Sequence, residues 1–209
     1  MRLVRERGRL MKAAGERNPG GIGAVLGLDE PTVTDICRQA GGAQVANDNA
    51  PGQIVISGTL DGIEKAMDLA RQAGARRVIR LAVSIAAHSA LMTPIVDEFA
   101  EAVKMTPIKM PTVPVISNIT ARPLESVPAI QEELVQQLTS PVRWVDSVRY
   151  MVEQGVTTFV EIGSGDVLAG LIRRIDRNVK RVNVGVPADI INIQTEQQLP
   201  RQGGTTGAG

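Results

Sequence analysis

His88, in the stretch "SIAAHSALM", is the only histidine among the 209 residues. An imidazole that titrates near pH 6.5 can take a proton from a hydroxyl at neutral pH, so general-base chemistry is what this side chain could supply. A base needs a nucleophile. Cys37, the only cysteine, shares an apolar helical stripe with Val33 and Ile36, so core packing fits it better than reactivity. The serines are Ser57, Ser84, Ser89, Ser117, Ser126, Ser140, Ser147 and Ser164. None lies in G-x-S-x-G, the strand-to-helix elbow that exposes a nucleophilic hydroxyl; Ser164, in "GSGDV", comes nearest with the wrong flanks. From the residues alone His88 is either a base without its partner or a hydrogen-bonded packing residue, and both readings stand at this point.

Two further stretches carry candidate chemistry. "GSGDVLAG", from Gly163, could cradle an anion at a helix N-terminus. It lacks the later glycine and lysine of the phosphate-binding patterns, and Asp166 would repel phosphate, so a tight structural turn is expected. Arg7 stands in "RERGRLM". Most arginines in such a helix are solvated, but Gly8 costs about 1 kcal/mol in a helix interior. It would let a neighbouring chain or ligand come close. One histidine and one cysteine argue against a metal site or a disulfide within this chain, and no cofactor is expected.

Composition narrows the partners. The chain is 43% hydrophobic and 22% charged but only 2% aromatic, so Val, Ile, Leu, Ala and Met must build its core. The net charge is +1 with no basic, aromatic-interleaved stripe, which leaves nucleic-acid binding without support. No run reaches the roughly 18 apolar residues of a membrane span. Charges interrupt every apolar run of "MRLVRERGRLMKAAGER", so it does not read as a signal peptide, and a cytoplasmic location is expected.

The elements that must position these residues follow from periodicity and turn residues. Residues 1–17 read as a basic helix ended by "NPGG". "IGAVLGL" reads as a strand, and "DEPTVTDICRQAGG" as a helix with Asp29 as N-cap. "AQVAND" and "GQIVISG" read as strands about a turn, Leu60 to Ala73 as a helix, and "RRVIRLAVS" as a closing strand. This β-α-β-β-α-β order is that of a ferredoxin-like domain, over about residues 21–83. After His88 come a helix through Met92, Phe99 and Val103, a short strand in "PTVPVISN", a helix through Ile130 and Leu138, and one opened by Pro141. "TTFVEI", "GSGDVLAGLIRRI" and "RVNVGV" then read as strand, helix and strand, a parallel α/β pattern. Residues 187–209 read as a disordered tail.

Taken in order, "RERGRLM", "AVLGL", "NDNAPGQIVISG", "GARRV", "VSIAAHSALM", "PTVPVISNIT", "LVQQLTSPVRW" and "VEIGSGDVLAGLIRRI" resemble the malonyl-CoA:acyl-carrier-protein transacylases of fatty-acid synthesis. The acyltransferase domains of polyketide synthases share most of them. The resemblance implies an α/β fold: part of an α/β-hydrolase-like large domain (residues 1–20 and 84–186) with an inserted ferredoxin-like small domain (residues 21–83). It also implies the activity, a ping-pong transfer of malonyl from malonyl-CoA to the pantetheine thiol of acyl carrier protein through a seryl ester. By the same resemblance His88 is the base and Gln137 orients it through a backbone carbonyl. Arg7 binds the free malonyl carboxylate, and Asn49 and Gln53 border the active-site cleft. The family's serine, in G-H-S-x-G, and its oxyanion-hole residues would lie upstream of residue 1. A chain without them is expected to be inactive alone. Ala87 stands where many malonyl-selective relatives carry an aromatic residue, which leaves acyl scope open. Three other readings follow from the same residues: a polyketide-type acyltransferase piece, a non-catalytic module that binds acyl carrier protein, or a mis-started product with no folded state.

Overall fold

The basic N-terminal stretch forms helix α1 (Arg2–Arg17) in the computed structural model, which describes residues 2–190 of the chain. Leu10 and Ala14 lie on its buried face. Its polar face is laced by Arg9, which donates to Glu6 and to Glu98 at 2.6 Å each. Those pairs are exposed and worth little; the apolar face holds the helix. The chain divides into two compact units, residues 1–154 and 155–209.

In the first unit, residues 20–80 run β1 (Gly20–Leu26), α2 (Glu30–Ala40), β2 (Ala43–Ala50), β3 (Gln53–Thr59), α3 (Leu60–Gln72) and β4 (Arg77–Arg80). The sequence cues act as expected. Asp29 caps α2 by accepting from the Thr32 amide at 3.0 Å, and Gly41 ends that helix at φ 68°. Thr59 caps α3 through the Gly62 amide. The strands pair antiparallel in the order β4-β1-β3-β2, and β5 (Val142–Arg143) adds to β2 in parallel. This is an α/β fold on a mixed five-stranded sheet. Val33, Ile36 and Cys37 of α2 and Ile63, Ala66, Met67 and Ala70 of α3 cover Val25, Ile54 and Ile56 of the sheet. Each fully buried Val, Ile or Met contributes about 1.5–3 kcal/mol, which makes this core the anchor of the region.

A second core gathers around α1. Leu10 and Ala14 pack with Met92, Ile95, Phe99, Val103 and Leu138. The last five come from a 3-10 turn (Ala90–Ile95), helix α4 (Val96–Lys104) and the chain after helix α5 (Val127–Gln136). Gly20 lets the sheet meet this layer: a Cβ there would lie 2.5 Å from the Ala86 Cβ and 2.8 Å from Leu91 Cδ1. Helix α6 (Trp144–Glu153) closes the unit.

The segment after β4 departs from the periodic reading. The closing strand expected through Ser84 stops at Arg80, and Leu81 and Val83 are exposed. The helix expected after His88 begins as a 3-10 turn containing Pro94, which cannot donate to an α-helical ladder. "PTVPVISN" forms no strand but a single bridge, Ile116 to Pro123, because Pro111 and Pro114 remove ladder donors. The helix expected from Pro141 starts at Trp144, since residues 142–143 pair with β2 instead.

In the second unit β6 (Thr158–Ile162), α7 (Val167–Ile175) and β7 (Lys180–Val184) form a βαβ element with a parallel pair. Ile172, Val179 and Val184 are buried there, while Ile162 is 82% exposed. Of the tail expected to be disordered, residues 187–190 are helical and residues 191–209 lie outside the described residues. Among the described residues no helix is long and apolar enough to cross a membrane.

Candidate active site

His88 ends the irregular segment that leaves β4, and its backbone turns into the left-handed region, φ 57°. That conformation costs of order 1 kcal/mol for a residue with a Cβ and needs support from its surroundings. On one side Ser89 supplies it: its hydroxyl donates to the Ala86 carbonyl at 2.7 Å and accepts from the Leu91 amide at 3.3 Å. The imidazole reaches across to the end of α5. Its Nδ1 lies 2.8 Å from the Gln137 carbonyl oxygen and 3.2 Å from that of Ser140. Carbonyls at a helix C-terminus lack intrahelical donors, so they are free for this.

Chemistry follows from the geometry. A carbonyl oxygen only accepts, so Nδ1 carries the hydrogen, and in the neutral ring Nε2 keeps its lone pair. Burial is the largest influence on the imidazole and holds its pKa below the usual value of 6.5. The Gln137 carbonyl pulls the other way, and the Arg7 charge adds to the depression. At pH 7 the ring is therefore neutral and able to accept a proton at Nε2.

Gln137 meets this histidine directly, and the Arg7 charge lies close enough to act on it. Arg7 is half-buried on α1, with its Nε enclosed and without a hydrogen-bond partner among the described residues. Burial lowers its pKa. Its neighbour Glu6 is engaged by Arg9, so it does not quench Arg7. The unmet donor leaves Arg7 short of one hydrogen bond among the described residues. Asn49 and Gln53 flank the β2–β3 turn. Asn49 falls at a register shift in β2, and Gln53 opens β3 opposite Leu26. At about 3.3 Å per residue, roughly 15 Å of strand separates Asn49 from Gln44, which touches the histidine's backbone. A cavity of about 600 Å³ adjoins that turn, lined by Asp29, Asp48, Gly52, Arg143 and Arg149 among others; neither His88 nor Arg7 lines it.

Two supporting residues escaped the sequence reading. Glu133, buried on α5, accepts from the Ser117 hydroxyl at 2.5 Å, the Asn118 amide at 2.9 Å and the Gln137 amide group at 3.2 Å. It bolts the last turn of α5 to the loop at 117–121. Gln44, on β2, donates to the His88 and Thr139 carbonyls and accepts from the Ala90 amide. Glu133 follows Ser117 by sixteen positions and Gln44 precedes His88 by forty-four, so no local spacing signals either bond.

The other candidates resolve structurally. Burial pushes the Cys37 thiol up to about 12, which makes it an inert core residue. At the glycine turn, Glu161 accepts from the Leu168 and Ala169 amides at 3.0 and 2.7 Å. The carboxylate fills the helix N-terminus that an anion would need, in keeping with a structural turn. A Cβ on Gly8 would meet no atom within 4 Å, so none of the described residues uses the close approach it permits. The hydroxyls of Ser89, Ser117, Ser126 and Ser147 are each hydrogen-bonded away from the imidazole. Ser57 is fully buried in β3. Among the described residues no group of three or more His, Cys, Asp or Glu could hold a metal ion.

The known proteins that this chain resembles share one theme. A malonyl CoA-acyl carrier protein transacylase of Bacillus subtilis is 44% identical over 197 residues, 92% of this chain and 62% of that protein. Its Escherichia coli counterpart is 40% identical over 84% of this chain and 58% of its own length. The chain thus spans about three-fifths of the length of these relatives. A polyketide biosynthesis protein of Burkholderia thailandensis is 45% identical over 84% of this chain and 15% of that much longer protein. Among solved structures, a malonyl-CoA:acyl carrier protein transacylase of Xanthomonas oryzae superposes with a TM-score of 0.88 at 37% identity, covering 93% of this chain and 63% of that one. A malonyl-transacylase in complex with a type II polyketide acyl-carrier protein superposes with a TM-score of 0.89 at 36% identity, over 93% and 64% of the two chains. The acyl transferase domain family matches residues 1–198, nearly the whole sequence and all of the residues around His88, and the chain belongs to that family.

Proposed function

We propose that this chain supplies the base and the carboxylate clamp of malonyl transfer from malonyl-CoA to the pantetheine thiol of acyl carrier protein. The observation that carries this is the Nδ1 of His88 held 2.8 Å from the Gln137 carbonyl, which leaves Nε2 free to accept. Arg7, whose charge acts on His88 and whose Nε has no hydrogen-bond partner among the described residues, would pair with the free malonyl carboxylate. Its fork of donors suits a carboxylate better than a methyl group, so malonyl is favoured over acetyl.

In this reading a serine hydroxyl gives its proton to Nε2 as its oxygen bonds to the malonyl thioester carbon. The C–S bond breaks, and the coenzyme A sulfur leaves with that proton. The pantetheine thiol then loses its proton to Nε2 and attacks the seryl ester. The C–O bond breaks, and the serine recovers the proton. The hydroxyls of Ser89, Ser117, Ser126 and Ser147 are hydrogen-bonded elsewhere, which supports a further part of the proposal: that the serine is contributed from outside these 209 residues. No cofactor is part of it, and the cytoplasm is the proposed location. The domain reading that accompanies it assigns residues 21–83 to a ferredoxin-like small domain, and residues 1–20 with 84–186 to part of an α/β-hydrolase-like domain. The β4-β1-β3-β2 strand order supports the first assignment. Asn49 and Gln53 are assigned to the border of the substrate cleft.

Incubating the 209-residue chain with malonyl-CoA and acyl carrier protein is expected to give no malonyl transfer; robust turnover would overturn the missing-serine part. Binding of malonyl-CoA and acetyl-CoA to the chain, measured by calorimetry, tests the clamp. Arg7→Ala is expected to erase the preference for malonyl. The likeness to the Burkholderia thailandensis protein keeps a polyketide-type transferase as a second reading, favoured if bulkier acyl-CoA donors bind as well as malonyl-CoA.

A further inference from the structure

We infer that Gln44 is a positioning residue for His88, its carboxamide fastening the backbone on both sides of the imidazole contact. The inference deepens the reading of His88 as a base and rests on it. Three bonds carry it. The Nε2 of Gln44 donates to the His88 carbonyl at 3.1 Å and to the Thr139 carbonyl at 3.0 Å, and its Oε1 accepts from the Ala90 amide at 3.0 Å. Both amide hydrogens and the amide oxygen are thereby used. A flipped amide would set its oxygen against two carbonyl oxygens, so the orientation is fixed.

The placement matters more than the number of bonds. His88 and Ala90 bracket the left-handed turn that aims the ring. Thr139 lies between Gln137 and Ser140, whose carbonyls receive the Nδ1 hydrogen. One side chain thus ties the donor's loop to the acceptors' loop. Gln44 is itself held in the sheet, where it pairs in register with the buried Ser57 of β3. The rigid sheet of residues 20–80 therefore sets the geometry of a histidine that lies outside it.

The chemical consequence concerns the tautomer. A free imidazole side chain favours the hydrogen on Nε2, the nitrogen that must accept a proton. Holding Nδ1–H on the carbonyls reverses that preference. Without Gln44 the two loops can part and the ring reverts to the Nε2–H form, which has no lone pair where the reaction needs one.

Because His88 is the only histidine, nitrogen-15 NMR of the labelled full chain reads its two ring nitrogens without ambiguity. Above pH 7 the unaltered chain is expected to show protonated Nδ1 and bare Nε2. Gln44→Met keeps the side-chain bulk and removes the bonds. It is expected to move the ring toward Nε2–H and to speed hydrogen exchange at the Ala90 amide by about tenfold, as loss of a hydrogen bond would. Should Gln44→Met fail to fold, Gln44→Asn, one methylene too short to span the loops, is read in the same way. Val45→Ala trims the core beside it and is expected to lower stability without changing the tautomer. Protonated Nε2 in the unaltered chain would overturn the base reading itself. Protonated Nδ1 that persists in Gln44→Met would overturn the role of Gln44 alone. An equal tautomer change in Val45→Ala would reduce that role to general stability, and so overturn it as well.

Discussion

Residues 20–80 and residues 81–143 each have an apolar core, but their backbones are fixed in different ways. The first region is a sheet under two helices, with Val25, Ile54 and Ile56 sealed beneath Val33, Ile36, Ile63 and Met67. The second has helices but little ladder, and its loops are fixed by single side chains that bond to backbone: Gln44, Ser89, Ser117 and Glu133. A hydrophobic core spreads its energy over many contacts. A polar tie concentrates it in one group whose removal strands buried partners. The candidate base stands where the polar ties converge, and the apolar core behind them keeps the sheet from yielding.

Steric change in the sheet should have the largest effect. A Cβ at Gly58 would fall 2.0 Å from the Gly42 carbonyl oxygen and 2.7 Å from the Ala43 Cα, both backbone atoms with nowhere to retreat. Gly58→Ala is expected to cost about 3 kcal/mol or more, read as a lower midpoint in urea unfolding. A loss below about 1 kcal/mol would mean that β2 can slide past β3, and the picture of a rigid sheet would fail.

The polar region is probed next by Glu133→Ala. It strands the buried Ser117 hydroxyl and the Asn118 amide together, and is expected to cost about 2–3 kcal/mol. For contrast, Ile56→Val in the sheet removes one methylene and is expected to cost about 1 kcal/mol. If the ranking reversed under chemical unfolding, the two regions would not differ in the way described.

The same division decides what the sequence revealed. The Val33-Ile36-Cys37 stripe, the Asp29 cap and the Gly41 stop are local signals, and the strand-helix order of residues 20–80 came out of them. The alternation in "PTVPVISN" looked like a strand because periodicity ignores missing donors, yet two prolines leave only one bridge. At the site, resemblance to a family brought His88, Gln137 and Arg7 forward, and the structure joins the first two by a hydrogen bond. Gln44 and Glu133 stayed hidden. A glutamine in a strand and a glutamate in a helix look like ordinary surface residues until the fold brings distant carbonyls and amides to them.

A smaller effect tests the joint between the regions, where β5 pairs with β2. Burial, with the charges of Asp146 and Glu30, raises the Asp48 pKa to about 6 from an ordinary 3.8. The folded chain thus keeps this proton while the unfolded chain loses it. Stability falls as pH rises from about 4 to about 6, and the penalty is complete above that window. Asp48→Asn is expected to stabilise the chain by about 1 kcal/mol at pH 8, after allowance for solvent screening, and to change nothing below pH 4. Thermal unfolding at the two pH values checks it. Equal effects at both would show that the asparagine acts through packing rather than charge.

The smallest expected effect is at Gly8. Its Cβ position is open, whereas that of Gly58 is crowded by backbone. Glycine in a helix interior costs roughly 0.5–1 kcal/mol relative to alanine through backbone entropy, and nothing near Gly8 offsets that. Gly8→Ala is therefore expected to raise the urea midpoint by an amount matching that saving. Arg7 is the adjacent residue, so the variant also separates stability from binding. A gain in stability with malonyl-CoA affinity unchanged would mark Gly8 as bare helix surface. A gain in stability with affinity lost would mean that the open space beside Gly8 is where the ligand's carboxylate end enters, and that the glycine is kept for room rather than for fold.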